Sequence, residues 1–241
     1  MNLGILSLVV VLPAKDEEAL IGDCLASIAV AAERVHLAVS VIVAADSCTD
    51  NTVPIARTFP GVTVLEISAA SVGTARRAGV ELALAGTGVP LERTWIANTD
   101  ADSTVPANWL EHQLAVAAGG DDVLVGTVRP RESDLTPAQY QAWLSTHDDG
   151  QAIGHVHGAN LGIRGSAYAA VGGFEPLDEH EDNDLVHRIH TAGFAISASD
   201  QSEVVTSGRR MGRTPGGYAR YLREGLLAEI TPTQIGEEIA Q

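Results

Sequence analysis

The sequence predicts an α/β fold, a mostly parallel central sheet with helices on both faces. Three observations carry this. The apolar runs of strand length are continuous rather than alternating, the pattern of strands buried on both faces. Segments with apolar residues at helical spacing separate them. The composition, 45% hydrophobic and 19% charged over 241 residues, is that of a chain with a sizeable core, which excludes disorder and collagen-like structure.

The elements follow in order. Residues 5–12 are a continuous apolar run apart from Ser7. They lack a basic leader and run into Pro13-Ala14-Lys15-Asp16-Glu17-Glu18 instead of a small-residue cleavage site, so they read as a buried strand and not a secretory signal. Residues 17–32 repeat Leu20, Ile21, Cys24, Leu25 and Ile28 at helical spacing. A second strand spans 39–44, and Thr49-Asp50-Asn51 offers capping groups to a short helix ending at Arg57. A third strand covers 62–67, a helix 72–84 and a fourth strand 94–98. Pro106 suits the first turn of the next helix, and 122–128 is a fifth strand. Beyond Arg129 the rhythm changes: 136–147 is an amphipathic helix, 153–164 is Gly-rich and strand-like, and 181–192 and 216–229 are helices. There is no repeat, low-complexity tract or linker, so one domain is expected, with a half at about 1–128 and a modified half at about 129–241.

Charge narrows the partners. With 15 Lys and Arg against 31 Asp and Glu, the net charge is −16. That is the wrong sign for a protein whose main task is gripping nucleic acid or anionic lipid. The cations are unevenly spread: Arg209, Arg210, Arg213, Arg220 and Arg223 share one acid-free stretch suited to an anion. No stretch reaches the roughly 18 apolar residues of a membrane span, and a soluble, cytoplasmic protein without an integral membrane segment is expected. Cys24 and Cys48 have no metal-site spacing and read as small buried hydrophobes.

Acidic residues gather where strands should end, which is where open α/β sheets bind ligands. The second strand runs into Asp46-Ser47-Cys48-Thr49-Asp50 and the fourth into Asp100-Ala101-Asp102. Two carboxylates one residue apart repel, and a hard cation such as Mg²⁺ or Mn²⁺ would keep both ionised; a solvated turn capped by Ser103 or Thr104 is the plainer alternative. Glu175, Asp178, Glu179, Glu181, Asp182 and Asp184 crowd the start of a helix, more than capping needs, and offer a general base if a cleft is near. The glycines of Gly158-Ala159-Asn160-Leu161-Gly162 and Val171-Gly172-Gly173-Phe174 allow close backbone approach to a ligand, or simply turns. Gly73 to Gly79 forms neither a dinucleotide fingerprint nor a phosphate-binding loop. His155 with His157, and His187 with His190, lack the context of a zinc site, and no Gly-x-Ser-x-Gly elbow occurs.

In order, these pieces resemble the family-2-type glycosyltransferases with a GT-A, Rossmann-like fold, from about Leu8 to about Gly193. The likeness rests on Val11-Leu12-Pro13-Ala14-Lys15-Asp16-Glu17, Asp46 to Thr52, Gly73-x-x-Arg76-Arg77-x-Gly79 and Asp100-Ala101-Asp102. It continues through Gly158-Ala159-Asn160, Val171-Gly172-Gly173-Phe174 and Glu181-Asp182-Asn183-Asp184-Leu185, with Arg188 and Gly193. The resemblance implies transfer of a sugar from a UDP-, GDP- or TDP-sugar to an acceptor hydroxyl, that of a small molecule, with inversion at the anomeric carbon. It assigns the nucleotide sugar to Pro13, Ala14, Glu17, Asp46, Arg76 and Asp100, with Gly158, Ala159 and Asn160 beside it. Mn²⁺ or Mg²⁺ would sit on Asp102 and Asp100, and Asp182, with Glu181 next, would be the catalytic base. A homodimer is compatible with it.

Two departures stand out. The family pattern has two aspartates at the end of the second strand, but here Ala45 precedes Asp46; and no histidine follows His190 to complete a metal site, which predicts weak metal binding without donor. Beside such a site, Arg209 and Arg213 are expected either to fold over the donor diphosphate or an anionic acceptor, or to form a salt-bridged surface. A sugar-phosphate nucleotidyltransferase would need a Gly-rich loop after the first strand, which Pro13 to Glu17 does not supply. A non-catalytic nucleotide-sugar-binding homologue is the other alternative.

Overall fold

The computed structural model describes residues 4–146, 156–209, 212 and 218–225. Its seven strands are β1 (Ser7–Ala14), β2 (Val39–Asp46), β3 (Val62–Ile67), β4 (Thr94–Asn98), β5 (Val123–Pro130), β6 (Leu161–Arg164) and β7 (Ile196–Thr206). The helices are α1 (Ile21–Glu33), α2 (Thr52–Ala56), α3 (Val72–Thr87), α4 (Trp109–Gly119), α5 (Pro137–Ser145), α6 (Gly165–Ala170) and α7 (Glu181–Thr191). A helical turn at Tyr218–Arg220 runs on as a π-helical turn at Tyr221–Gly225. One sheet holds all seven strands in the order β3-β2-β1-β4-β6-β5-β7. β6 runs antiparallel to both β4 and β5, and the other pairings are parallel.

β1 shows why the apolar runs are continuous. Leu8, Val10 and Leu12 point to one face, against Ile21, Cys24, Leu25 and Ile28 of α1 and Trp109 and Leu110 of α4. Val9 and Val11 point to the other, against Val80 of α3 and Leu185 and Ile189 of α7. A strand with two covered faces leaves little room for polar residues, and the one in β1, Ser7, stands at its start. Cys24 and Cys48 are both reduced, and Cys24 is part of the core.

Several boundaries differ from expectation for local reasons. α1 starts at Ile21, not residue 17, because Asp16 is held at a positive φ of 50° and the Glu17 N–H is taken by the Thr52 hydroxyl. α4 starts at Trp109, not Pro106, because Thr104 and Val205 exchange backbone hydrogen bonds that keep the chain extended just before it. Gly158–Asn160 is a 3₁₀ turn, and the strand predicted over 153–164 shrinks to β6. The largest difference is β7, an eleven-residue strand where the sequence pattern predicts no element. Only its last part is buried in alternation, at Ser202, Val204 and Thr206, so it carries no continuous apolar run. His147, at the end of the predicted 136–147 helix, and residues 216–217 and 226–229 of the predicted 216–229 helix lie outside the described residues, as does His155. No helix among the described residues is long and apolar enough to cross a membrane.

α3 lies close on the sheet because Gly79 has no side chain. A Cβ there would stand 2.7 Å from Val11 Cγ1. Gly79→Val is expected to force α3 outward and to destabilise the fold by about 1–3 kcal/mol, read as a lower midpoint in urea unfolding; an unchanged midpoint would mean the interface yields freely.

Candidate functional site

The carboxyl ends of β1, β2 and β4 and the start of α7 bring the sequence-distant acids together. The centre is Arg76, from the second turn of α3. Its side chain is only 2% exposed. Its Nε donates to Glu181 Oε1 at 2.9 Å, one Nη to Asp100 Oδ1 and the other to the Thr99 carbonyl at 3.3 Å. The guanidinium also lies over the Phe174 ring, 6.0 Å from its centroid. Burial works against the charge, but Asp100 and Glu181 outweigh it and hold the Arg76 pKa above its ordinary value. Space for it is made by glycine: a Cβ on Gly158 would collide with the guanidinium. Gly73 serves the same region, since a Cβ there would strike the backbone at Glu175 and Leu177, which closes over α3.

The two carboxylates at the start of α7 differ sharply. Glu181 is buried and ion-paired with Arg76; burial pushes its carboxyl up, Arg76 pulls it down, and the nearby Asp182 charge leaves it raised overall. Asp182 is partly open to solvent, its Oδ2 accepting the Gly158 N–H at 2.6 Å and its Oδ1 the Asn183 N–H at 2.7 Å. It stands in the first turn of α7. Of the pair, Asp182 has a carboxylate that an outside hydroxyl can meet, and Glu181 has one committed to balancing Arg76.

Asp102 lies deeper than its partner Asp100. Its Oδ2 is 2.9 Å from Arg209 Nη2. Its Oδ1 lies 3.4 Å from the Ser103 hydroxyl and 3.5 Å from that of Thr206. Burial, with the Asp100 charge beside it, holds the Asp102 carboxyl well above the usual carboxylate range despite Arg209. Arg209 also reaches Glu17, with Nη1 2.7 and 2.9 Å from its two oxygens. Thus the end of β7 bridges the end of β1 and the loop after β4. Ser103, Thr206 and the β7 framework behind them are the part of the site that sequence reasoning missed. The β-branched run Val204-Val205-Thr206 was the available signal.

Other predicted contacts face the fold. Asn160 is wholly buried: its amide donates to the Thr127 and Ser202 carbonyls, both at 2.9 Å, and its oxygen accepts the Trp109 indole N–H. It joins α4, β5 and β7 instead of lining a cleft, and Ala159 beside it is core. Arg76 spends its guanidinium on Glu181, Asp100 and the Thr99 carbonyl. Asp46 accepts N–H groups from Ala69 and Ala70 and the Ser47 hydroxyl on Oδ1, and the Ser71 N–H on Oδ2. Its carboxylate shapes the loop between β3 and α3. Pro13 and Ala14 close β1, with Ala14 buried and Pro13 partly open. Arg213 lies outside the described residues. Asp100 and Asp102 are hard oxygen donors with hydroxyls alongside, chemistry that suits Mg²⁺ or Mn²⁺. Among the described residues no group of three metal-ligating side chains occurs, so a metal would complete its shell from a bound anion and water.

Comparison with known proteins agrees with this architecture. Residues 9–171 match the family model described as glycosyl transferase family 2. Among solved structures, S. aureus TarS in complex with UDP-GlcNAc is similar with a TM-score of 0.65 at 16% identity, over 89% of this chain and 62% of that one. The mannosyltransferase PcManGT from Pyrobaculum calidifontis, in complex with GDP-Man and Mn²⁺, gives a TM-score of 0.61 at 20% identity, over 88% and 59% of the two chains. GalNAc-T7 with UDP, GalNAc and Mn²⁺ gives 0.61 at 13%, over 93% and 48%. The fold is GT-A. The chain spans less than two thirds of the length of each of these structures. No curated protein matches the sequence significantly.

Two outcomes follow from the charge pairing. Arg76→Met leaves Asp100 and Glu181 uncompensated and is expected to cost about 3–5 kcal/mol, measured by denaturant unfolding; Arg76→Lys should recover only part, since one ammonium cannot replace the planar fork. For Asp46, burial opposes the charge, but donors from Ala70, Ser71, Ser47 and Ala69 win and hold its pKa below the ordinary 3.8. The stability it adds is therefore complete above that ordinary value and fades as pH falls through the lowered folded-state value. In Asp46→Asn the acid limb of the stability curve should be shallower over that window; an identical limb would show that another carboxylate sets it.

Proposed function

Because this chain belongs to glycosyl transferase family 2, we propose that it transfers a sugar from a nucleoside diphosphate sugar to an acceptor hydroxyl, with inversion and with a divalent metal. The observation that carries this is the meeting of Asp182, Asp100 and Asp102 at the carboxyl edge of the sheet, with Glu181 and Arg76 fixing their relative positions. A solvent-open carboxylate beside a metal-suited pair is what one direct displacement needs.

The steps are simple to balance. The acceptor oxygen forms a bond to the anomeric carbon and gives its proton to Asp182 as that bond forms. The bond from the anomeric carbon to the diphosphate breaks, and its electron pair leaves with the nucleoside diphosphate. Attack opposite the leaving group inverts the centre. Mn²⁺ or Mg²⁺ held by Asp102 and Asp100 would supply positive charge against the charge gathering on the leaving diphosphate; the neighbours PcManGT and GalNAc-T7, both in complex with Mn²⁺, support that choice. The Gly158 N–H keeps Asp182 turned toward the 3₁₀ turn, and the Asn183 N–H fixes its other oxygen. TarS with UDP-GlcNAc and PcManGT with GDP-Man support a uridine or guanosine diphosphate sugar as donor, with Pro13, Ala14 and Glu17 nearest the nucleoside. We assign acceptor binding to the half beyond residue 128, where α5 stands against the helical turns at 218–225 through Trp143 and Leu222.

Donor hydrolysis screened across UDP-, GDP- and TDP-sugars with Mn²⁺ or Mg²⁺ should identify one nucleotide that binds and is turned over. With that donor, Asp182→Asn should lose roughly 10²-fold or more in transfer while donor affinity is largely kept. Unchanged transfer overturns the assignment of the base, and failure of every nucleotide sugar to bind overturns the transferase.

A further inference from the structure

Arg209 stands where two requirements collide. Its Nη2 occupies the Oδ2 side of Asp102, and its Nη1 binds both oxygens of Glu17. Both carboxylates are buried, with side chains 10% and 7% exposed, so this guanidinium supplies the counter-charge that lets two acids sit together out of water. The other Asp102 oxygen faces the Ser103 and Thr206 hydroxyls. A divalent ion on Asp102 would therefore meet a fixed positive charge at the same carboxylate. The ion and the arginine are alternatives there.

The surroundings let the arginine leave. Its side chain is 29% exposed, against 2% for Arg76. It lines, with Glu17, Arg131, Asp134 and Ser207, an open cavity of about 490 Å³. Its backbone, by contrast, is anchored: the Gly208 N–H donates to Asp134 and the Arg209 N–H to the Ser207 hydroxyl. The side chain can swing on a held backbone, and an arriving diphosphate would offer the guanidinium a new bidentate partner.

We propose that Arg209 is the resident cation of the Asp102 carboxylate and the competitor that a divalent ion must displace, so that metal loads together with the nucleoside diphosphate and not ahead of it. This rests on reading Asp102 as a metal ligand. It adds an order of binding, set by a residue at the end of β7.

The test uses the full chain and Mn²⁺ alone, with free Mn²⁺ followed by electron paramagnetic resonance. Arg209→Gln should bind Mn²⁺ about tenfold or more tightly than the parent protein in the absence of nucleotide, and adding Asp102→Asn should remove that gain. UDP or GDP should raise the Mn²⁺ affinity of the parent by a larger factor than that of Arg209→Gln, because the arginine has already been removed in the variant. Equal or weaker Mn²⁺ binding by Arg209→Gln, or a gain that survives Asp102→Asn, overturns the proposal. Should Arg209→Gln fail to fold, Arg209→Lys, whose single ammonium cannot span both carboxylates, should show a smaller gain, and no gain overturns the proposal. A failed donor screen alongside an Asp102-dependent gain in Mn²⁺ binding overturns the transferase and leaves this competition standing; the reverse result overturns the competition alone.

Discussion

The guanidinium of Arg76 is the constraint on which the site depends. It rises from α3, behind the sheet, and joins the loop after β4 to the first residue of α7 through Asp100 and Glu181. Those two acids are 24 and 105 residues away in sequence. Removing the cation would leave the Glu181 carboxylate buried without this partner, and such a charge is far costlier to leave alone than the pair is beneficial to form. This asymmetry explains the neighbouring glycines. Gly158 has no side chain because the guanidinium fills its space, and Gly73 has none because the 175–177 backbone closes over α3. Once Arg76 fixes the start of α7, the position of Asp182 follows, since it is the next residue and the Gly158 N–H holds it.

Backbone strain collects at the same edge. The non-glycine residues with positive φ among the described residues are Asp16, Ser47, Ala70 and His180. They follow the ends of β1, β2 and β3 and directly precede α7. Each of the first three is tied to a carboxylate: Asp16 Oδ1 accepts the Thr49 N–H, Ser47 donates to Asp46, and the Ala70 N–H donates to Asp46. The acids of this edge therefore serve two tasks. Some, such as Asp46 and Asp16, shape loops by accepting backbone N–H groups. Others, Asp102 and Asp182, keep an oxygen directed toward charge or solvent. Accepting N–H groups does not exclude the second task, since Asp182 holds two of them and stays partly open to solvent.

This division bears on what was legible in the sequence. β1, β2, β4 and β5 could be read because their apolar runs are largely buried in the sheet, and β3, at its edge, because Val62, Val64, Leu65 and Ile67 still mark a strand-length segment. The family and the GT-A fold could also be read, because they are written in short motifs at strand ends. β7 could not, since a strand covered only near its end shows neither a continuous run nor a clean alternation. With it went Ser103 and Thr206, which meet only across the Thr104–Val205 bridge. Asn160 shows a different limit of the sequence. A motif identifies a residue that the fold cannot spare, but the chain alone does not say whether the need is a ligand or, as here, three hydrogen bonds joining α4, β5 and β7.

Arg76 and Arg209 complete the electrostatics of an acidic chain. Both are guanidiniums between two carboxylates, and both are held in the charged form by their neighbours. Their difference is access. Arg76 is sealed by Phe174, Gly158 and the Thr99 carbonyl, so any exchange of its partners would open the core. Arg209 borders a cavity, so exchange of its partners needs only rotation of one side chain. A net charge of −16 describes neither. Local burial makes one arginine a permanent part of the framework and leaves the other the replaceable charge of the site.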